Sequence, residues 1–197
     1  MRKRYSLLIA SLLFVTGCAE SYVVRVNGFA KAKSQISADA RIYVATEANA
    51  ANPIFESEVR AKIEALLKSR GYHVADAPGA ADYRLAFELG FLPRQETYYT
   101  VEPQYFGRHP YYYGMGTYVP RVMTVWDQWL RVKAYRNDEV IWVGEAEISE
   151  YFPDKRRAVD YLIIGAFEYF GQDTAGQKTL TLSPKDPRIA VIGSYPG

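Results

Sequence analysis

Glu145 and Glu147 stand two residues apart in a segment, Glu139 to Ser149, whose alternation reads as a β-strand. On a strand, residues i and i+2 share one face and lie about 7 Å apart. That falls within the carboxyl spacing of an inverting glycoside hydrolase, where one group donates a proton and the other activates water. The preceding strand supplies Arg131 and Lys133, and opposite charges facing each other across a strand pair stabilise a sheet with no catalysis at all. The charge-paired face is the preferred reading; hydrolysis of a cell-wall glycan through Glu145 and Glu147 is the alternative. Other chemistry is thinly provided. His73 and His109 are far apart, and neither has a second ligand at metal spacing. His73 follows a helix end and reads as structural, whereas His109, between Arg108 and Pro110, reads as solvated. The chain has no Gly-x-Ser-x-Gly elbow, His-Glu-x-x-His pair or phosphate-cradling glycine loop. No cofactor and no metal are expected.

A binding site is better supplied. Tyr98, Tyr99, Tyr105, Phe106, Tyr111, Tyr112, Tyr113 and Tyr118 fall within one segment, interrupted by Pro103, Gly107, Pro110, Gly114 and Gly116. Seventeen tyrosines in 197 residues exceed what one core can hold. Tyrosine presents rigid amphipathic area at little entropic cost, which suits a sugar ring or a protein surface. The glycine and proline density predicts a long loop rather than a strand, and a connection of that length in a compact domain is commonly functional.

The elements that must position these residues follow from periodicity. Tyr22 to Phe29 and Arg41 to Thr46 read as short strands. Asn52-Pro53 opens a helix, since asparagine caps well and proline fits the first turn. Phe55, Val59, Ile63, Leu66 and Leu67 give it one apolar face, Glu58/Lys62 and Glu64/Lys68 an exposed one, and Gly71 an end. Asp82 to Leu92 alternates as a half-buried strand, with Tyr83, Leu85, Phe87, Leu89 and Phe91 on one side. Val125 to Tyr135 and Glu139 to Ser149 form a hairpin. A three-residue loop, Arg136-Asn137-Asp138, pairs Leu130 with Gly144 and Val132 with Trp142 and keeps the faces consistent, whereas a strict two-residue turn mixes them. Asp154 caps a second helix running to Phe170. The last residues read as a tail with one strand near Ile189 to Ile192. This order predicts an α+β fold: a mainly antiparallel sheet with two helices packed on one face, plus the long Tyr/Gly/Pro-rich loop.

The N-terminus supplies an address. Arg2, Lys3 and Arg4 precede an apolar run from Leu7 to Val15, too short to span a bilayer and patterned as a secretory leader. Val15-Thr16-Gly17-Cys18 resembles the lipobox of bacterial lipoproteins, and Cys18 is the only cysteine. The resemblance implies cleavage before Cys18, a thioether-linked diacylglycerol on its sulfur and usually an acyl group on its new amine, with palmitate-type chains, and Ala19 in place of aspartate is similar to the outer-membrane pattern. With Leu66-Leu67…Gly71-Tyr72, Ala81-Asp82-Tyr83 and Val140-Ile141-Trp142-Val143-Gly144, the chain from Tyr22 to Phe170 also resembles bacterial lipoproteins sharing domain of unknown function 4136. That family implies an envelope lipoprotein and supplies no catalytic residues.

The expected organisation is a leader at 1–17, a lipid-anchored domain at 18–171 with the aromatic insertion at 93–121, and a tail at 172–197. The formal charge of +2 falls to −1 once Arg2, Lys3 and Arg4 are removed, which leaves no electrostatic footprint for nucleic acid. The function expected is that of a non-enzymatic binding or structural module facing the periplasm or cell surface. It is held to the membrane through Cys18 and contacts an envelope protein or glycan partner, or serves as accessory subunit of an envelope assembly.

Overall fold

The computed structural model describes residues 21–32, 36–46, 51–103 and 116–193. In chain order the elements are β1 (Tyr22–Ala30), β2 (Arg41–Ala45), α1 (Pro53–Ser69), β3 (His73–Val74), β4 (Tyr83–Pro103), β5 (Gly116–Arg136), β6 (Glu139–Glu150), α2 (Lys155–Phe167), β7 (Lys178–Leu182) and α3 (Pro187–Gly193). The seven strands form one sheet in the order β3-β2-β4-β5-β6-β1-β7.

The expectation of a mainly antiparallel sheet carrying two helices is corrected on both counts. The sheet is mixed: β2 runs parallel to β3 and β4, and the other neighbours are antiparallel. The reason is α1, which lies between β2 and β3 in the chain and forms the crossover that parallel strands require. The described residues form three α-helices. The segment expected as a strand near Ile189 to Ile192 is α3, which packs against α1 and α2 and buries Ile192 completely. Residues 172–193 are therefore part of the fold rather than a tail: β7 adds to the edge of β1, and Thr174 is buried against the backbone of Gly28.

The core lies between the helices and the sheet face formed by Val24, Val26, Ile42, Val44, Leu85, Leu130, Val132 and Ala146. Asn52 caps α1 by accepting from the Phe55 amide at 3.1 Å, and Val59, Ile63, Leu66 and Leu67 are buried beneath it. Asp154 caps α2, accepting from the amides of Arg156 and Arg157. Trp142 sits among Phe167 and Phe170, and its indole Nε1 donates to the Gln172 carbonyl at 3.1 Å. Lys62, expected on the solvated side of α1, is buried instead. Its ammonium reaches Asp160 on α2 at 2.7 Å and Glu58 at 3.4 Å, tying the two helices together. Burial pushes the Asp160 carboxyl above its usual range, against the pull of Lys62.

The β5–β6 turn also differs from expectation. Asn137 and Asp138 both have positive φ, 49° and 63°, so the loop has two residues in the form that matches strand twist. The facing problem is solved by a bulge: Ala134 pairs with Trp142 while Tyr135 pairs with Val140, leaving Ile141 as the extra residue. Leu130 thus faces Ala146 and Val132 faces Gly144.

Candidate functional site

The segment 93–121, expected as an irregular loop, is for its described part regular strand. β4 and β5 pair without a slip from Arg84↔Tyr135 to Pro103↔Gly116. β2 leaves β4 after Ala86, and β6 leaves β5 after Trp126. Beyond that point the pair continues alone as an arm about 30 Å long, from the strand rise. Glycine and proline mislead here because Pro93 and Pro120 occupy strands with no third neighbour, where a missing ladder donor is tolerated. The root of the arm is fixed by Phe91 stacked on Trp126 at 4.6 Å, with the Lys155 ammonium 3.9 Å from the Phe91 ring.

Alternation divides the arm into two faces. Tyr98 lies with Arg94, Glu96, Glu102 and Arg121 on the side that continues the open face of the sheet. Arg121 pairs with Glu102, and Arg94 donates to Asp127 at 2.9 Å. Tyr99 and Tyr118 lie on the opposite side, with Val101 and Val122, and all four are exposed. Of the tyrosines named from sequence, the fold thus mounts Tyr98, Tyr99 and Tyr118 on the arm but separates them onto two surfaces. Tyr105, Tyr111, Tyr112 and Tyr113 lie outside the described residues, as do His109, Cys18 and the leader.

Glu145 and Glu147 share the open face of β6 as expected. Arg131 lies directly opposite Glu145 and donates from Nε to it at 2.7 Å. Arg25 on β1 donates to Glu147 at 2.7 Å and to Ser149 at 2.9 Å. The pairing extends in both directions: Lys133 and Arg131 meet Glu88, and Ser149 donates to Asp127. Hydrogen bonding from Arg94 holds the Asp127 carboxyl below its usual range, and hydrogen bonding to Glu88 raises Lys133. A general acid needs burial or a like charge to stay protonated. Here each carboxylate faces a guanidinium at a half-exposed position.

Arg25, Asp127, Arg131, Glu145 and Glu147 line a shallow groove of about 360 Å³ with Asn27, Leu92, Trp129 and Gln177. Trp129 and Arg25 were not singled out from sequence. The signal was present: period two places Trp129 beside Arg131 and Lys133, on the polar side of β5. Its indole lies over Gly90, where a Cβ would come within 1.9 Å of the ring. Glycine there leaves the ring its place in the groove. A second cavity of about 370 Å³ opens where α1 and α2 begin, lined by Phe55, Phe91, Gln128, Lys155 and Val159 among others. Among the described residues no three His, Cys, Asp or Glu side chains converge as metal ligands, and no helix is long and apolar enough to cross a membrane. His73 is exposed at β3.

No protein-family model matches the chain, and no curated protein matches it either. Among solved structures it is similar to a PDZ domain protein from Parabacteroides distasonis, with 14% identity and a TM-score of 0.44. That match covers 83% of this chain but only 39% of the other. It is also similar to the PelC dodecamer from Paraburkholderia phytofirmans, with 11% identity and a TM-score of 0.40, over 75% of this chain and 96% of that one. Likeness this distant assigns no activity.

Proposed function

We propose that the chain is a lipid-anchored, non-enzymatic module of the bacterial cell envelope, outer-membrane and periplasm-facing, that recognises a protein or glycan partner. The lipobox-like Val15-Thr16-Gly17-Cys18 supports the anchor. The observation that carries the recognition is the continuous open face, from the Trp129 groove along the arm to Tyr98 and Arg121. It combines aromatic rings with fixed charges. Guanidinium-paired Glu145 and Glu147 suit polar recognition better than acid–base chemistry.

A photo-crosslinking residue at Tyr98 or Trp129, activated in growing cells, tests this reading. One adduct of defined mass is expected from both positions, and it should disappear when Arg121 and Arg131 are both replaced by alanine. Silence from both positions, with the protein correctly exported, refutes recognition by this face.

A further inference from the structure

Most of the large exposed hydrophobic side chains among the described residues lie at one end of the fold. Tyr99, Val101, Tyr118 and Val122 are on one face of the arm, 59–71% exposed. Ile54, in the first turn of α1, is 78% exposed, and Phe152, between β6 and α2, is 94% exposed. The register shows that they share an end. Trp126 at the arm root pairs with Glu150, the last residue of β6, and the next segment carries Phe152. The first turns of α1 and α2 line one cavity with Leu89, Gly90 and Phe91 at that root.

The same end is where the chain enters the domain. Tyr22 and Val23 lie beside Ile148, Ser149 and Glu150. Cys18 is four residues before Tyr22, a reach of at most about 14 Å along an extended chain. Basic side chains cluster there too. Lys155 packs on Phe91, Arg157 lies over the Tyr22 ring at 5.2 Å, and the Arg156 side chain is 76% exposed, with Glu58 at 3.9 Å.

We propose that this end of the fold docks on a lipid bilayer. The uncharged face of the arm and the Ile54 and Phe152 turns enter the headgroup region, and the charged face of the arm, with Tyr98, stays in water. The arm face that carries Tyr99 also holds Pro93, Gln95, Thr97, Pro120 and Thr124, and no charge at all. Tyrosine is favoured at the membrane–water boundary, and nearby lysine and arginine draw such a surface to anionic lipid. The arm cannot span the bilayer, because its lone strand pair has open edges whose N–H and C=O groups would go unsatisfied in hydrocarbon. Edge pairing with a second copy is blunted by Pro93 and Pro120. The inference rests on the anchored reading for its proximity argument, and it assigns the two faces of the arm to different occupants.

The test labels Tyr118→Cys, Phe152→Cys and, at the far turn, Val140→Cys proteins with an environment-sensitive fluorophore. Each is reconstituted in phosphatidylethanolamine/phosphatidylglycerol vesicles containing a nitroxide-headgroup lipid. The labels at 118 and 152 should shift to the blue and lose most of their emission to the nitroxide, while the label at 140 does neither. Unquenched labels at 118 and 152 on a protein whose Cys18 carries lipid overturn the proposal and leave the anchor standing. A blue shift without quenching also overturns it, since a protein then covers the face. If mass analysis finds Cys18 unmodified, the anchor reading fails on its own. The labelled proteins, with Cys18→Ser added, are then mixed with preformed vesicles, where quenching at 118 and 152 upholds docking and its absence overturns it.

Discussion

Replacing Asp160 with alanine tests whether Lys62 is held inside the fold by its charge partner. The Lys62 side chain is 10% exposed and that of Asp160 16%, with Nζ and Oδ1 2.7 Å apart. Removing one member of a buried pair costs about 3–5 kcal/mol, because the remaining ion keeps its desolvation and loses its compensation. Glu58 stays within 3.4 Å of the ammonium, so the loss should fall at the lower end, about 3 kcal/mol. With a urea slope of about 2 kcal/mol per molar, the midpoint should fall by roughly 1.5 M. The thermal midpoint should drop by about 6–12 °C. Removing both charges together, in Lys62→Met with Asp160→Leu, should return stability to within about 1 kcal/mol of the parent. The raised Asp160 carboxyl indicates as much, since the ion pair does not fully offset its own burial. Urea denaturation followed by circular dichroism reads all three proteins. A loss below about 1 kcal/mol for Asp160→Ala, or a double variant no better than the single, would refute the reasoning.

The same carboxyl predicts a pH dependence. A folded-state value above the unfolded one gives stability that is complete below about pH 4 and declines as pH rises through the raised value; Asp160→Asn should abolish that decline in urea midpoints taken across the range. Asp186 has the opposite sign, because hydrogen bonding from Arg188 holds it below its usual value. Its contribution is lost as pH falls below about 4, so Asp186→Asn should flatten the acid limb of the same curve. Gly144→Ala places a Cβ 2.3 Å from the Ala166 carbonyl oxygen and 2.2 Å from the Trp142 ring, and overpacking against backbone should cost about 2–3 kcal/mol in the urea assay. Glu147→Gln breaks a half-exposed pair with Arg25 and should cost less than about 1 kcal/mol. On purified peptidoglycan neither it nor the parent should release reducing ends; release by the parent alone would restore the hydrolase reading.

How far the fold could be read in advance depended on whether the deciding signal was local. The α1 cap at Asn52, the apolar stripe through Val59, Ile63 and Leu66, and the alternation of β4 are local, and each emerged close to expectation. Strand direction is not local. Nothing in Arg41–Ala45 states that it runs parallel to the strand that starts at Tyr83, so element order alone does not reveal the mixed sheet. Pro103 and Gly116 signal a break when counted as composition, yet they pair with each other on an arm with free edges and interrupt no third strand. Asn137-Asp138 did announce a tight turn. The rule that faces must match was sound, but it was met by one extra residue, Ile141, in β6 rather than by a longer loop. The two carboxylates were found by spacing, and Arg131 was seen as a neighbour. Arg25 reaches Glu147 from β1, 122 positions away in the chain, and no local pattern could have paired them.

The anchor on Cys18 is tested most directly by the mass of the N-terminal peptide of protein purified from bacterial envelopes. It predicts a chain that begins at Cys18, with diacylglycerol on the sulfur and an acyl group on the amine. A peptide that still carries Arg2 to Gly17, with the Cys18 thiol free, would contradict it.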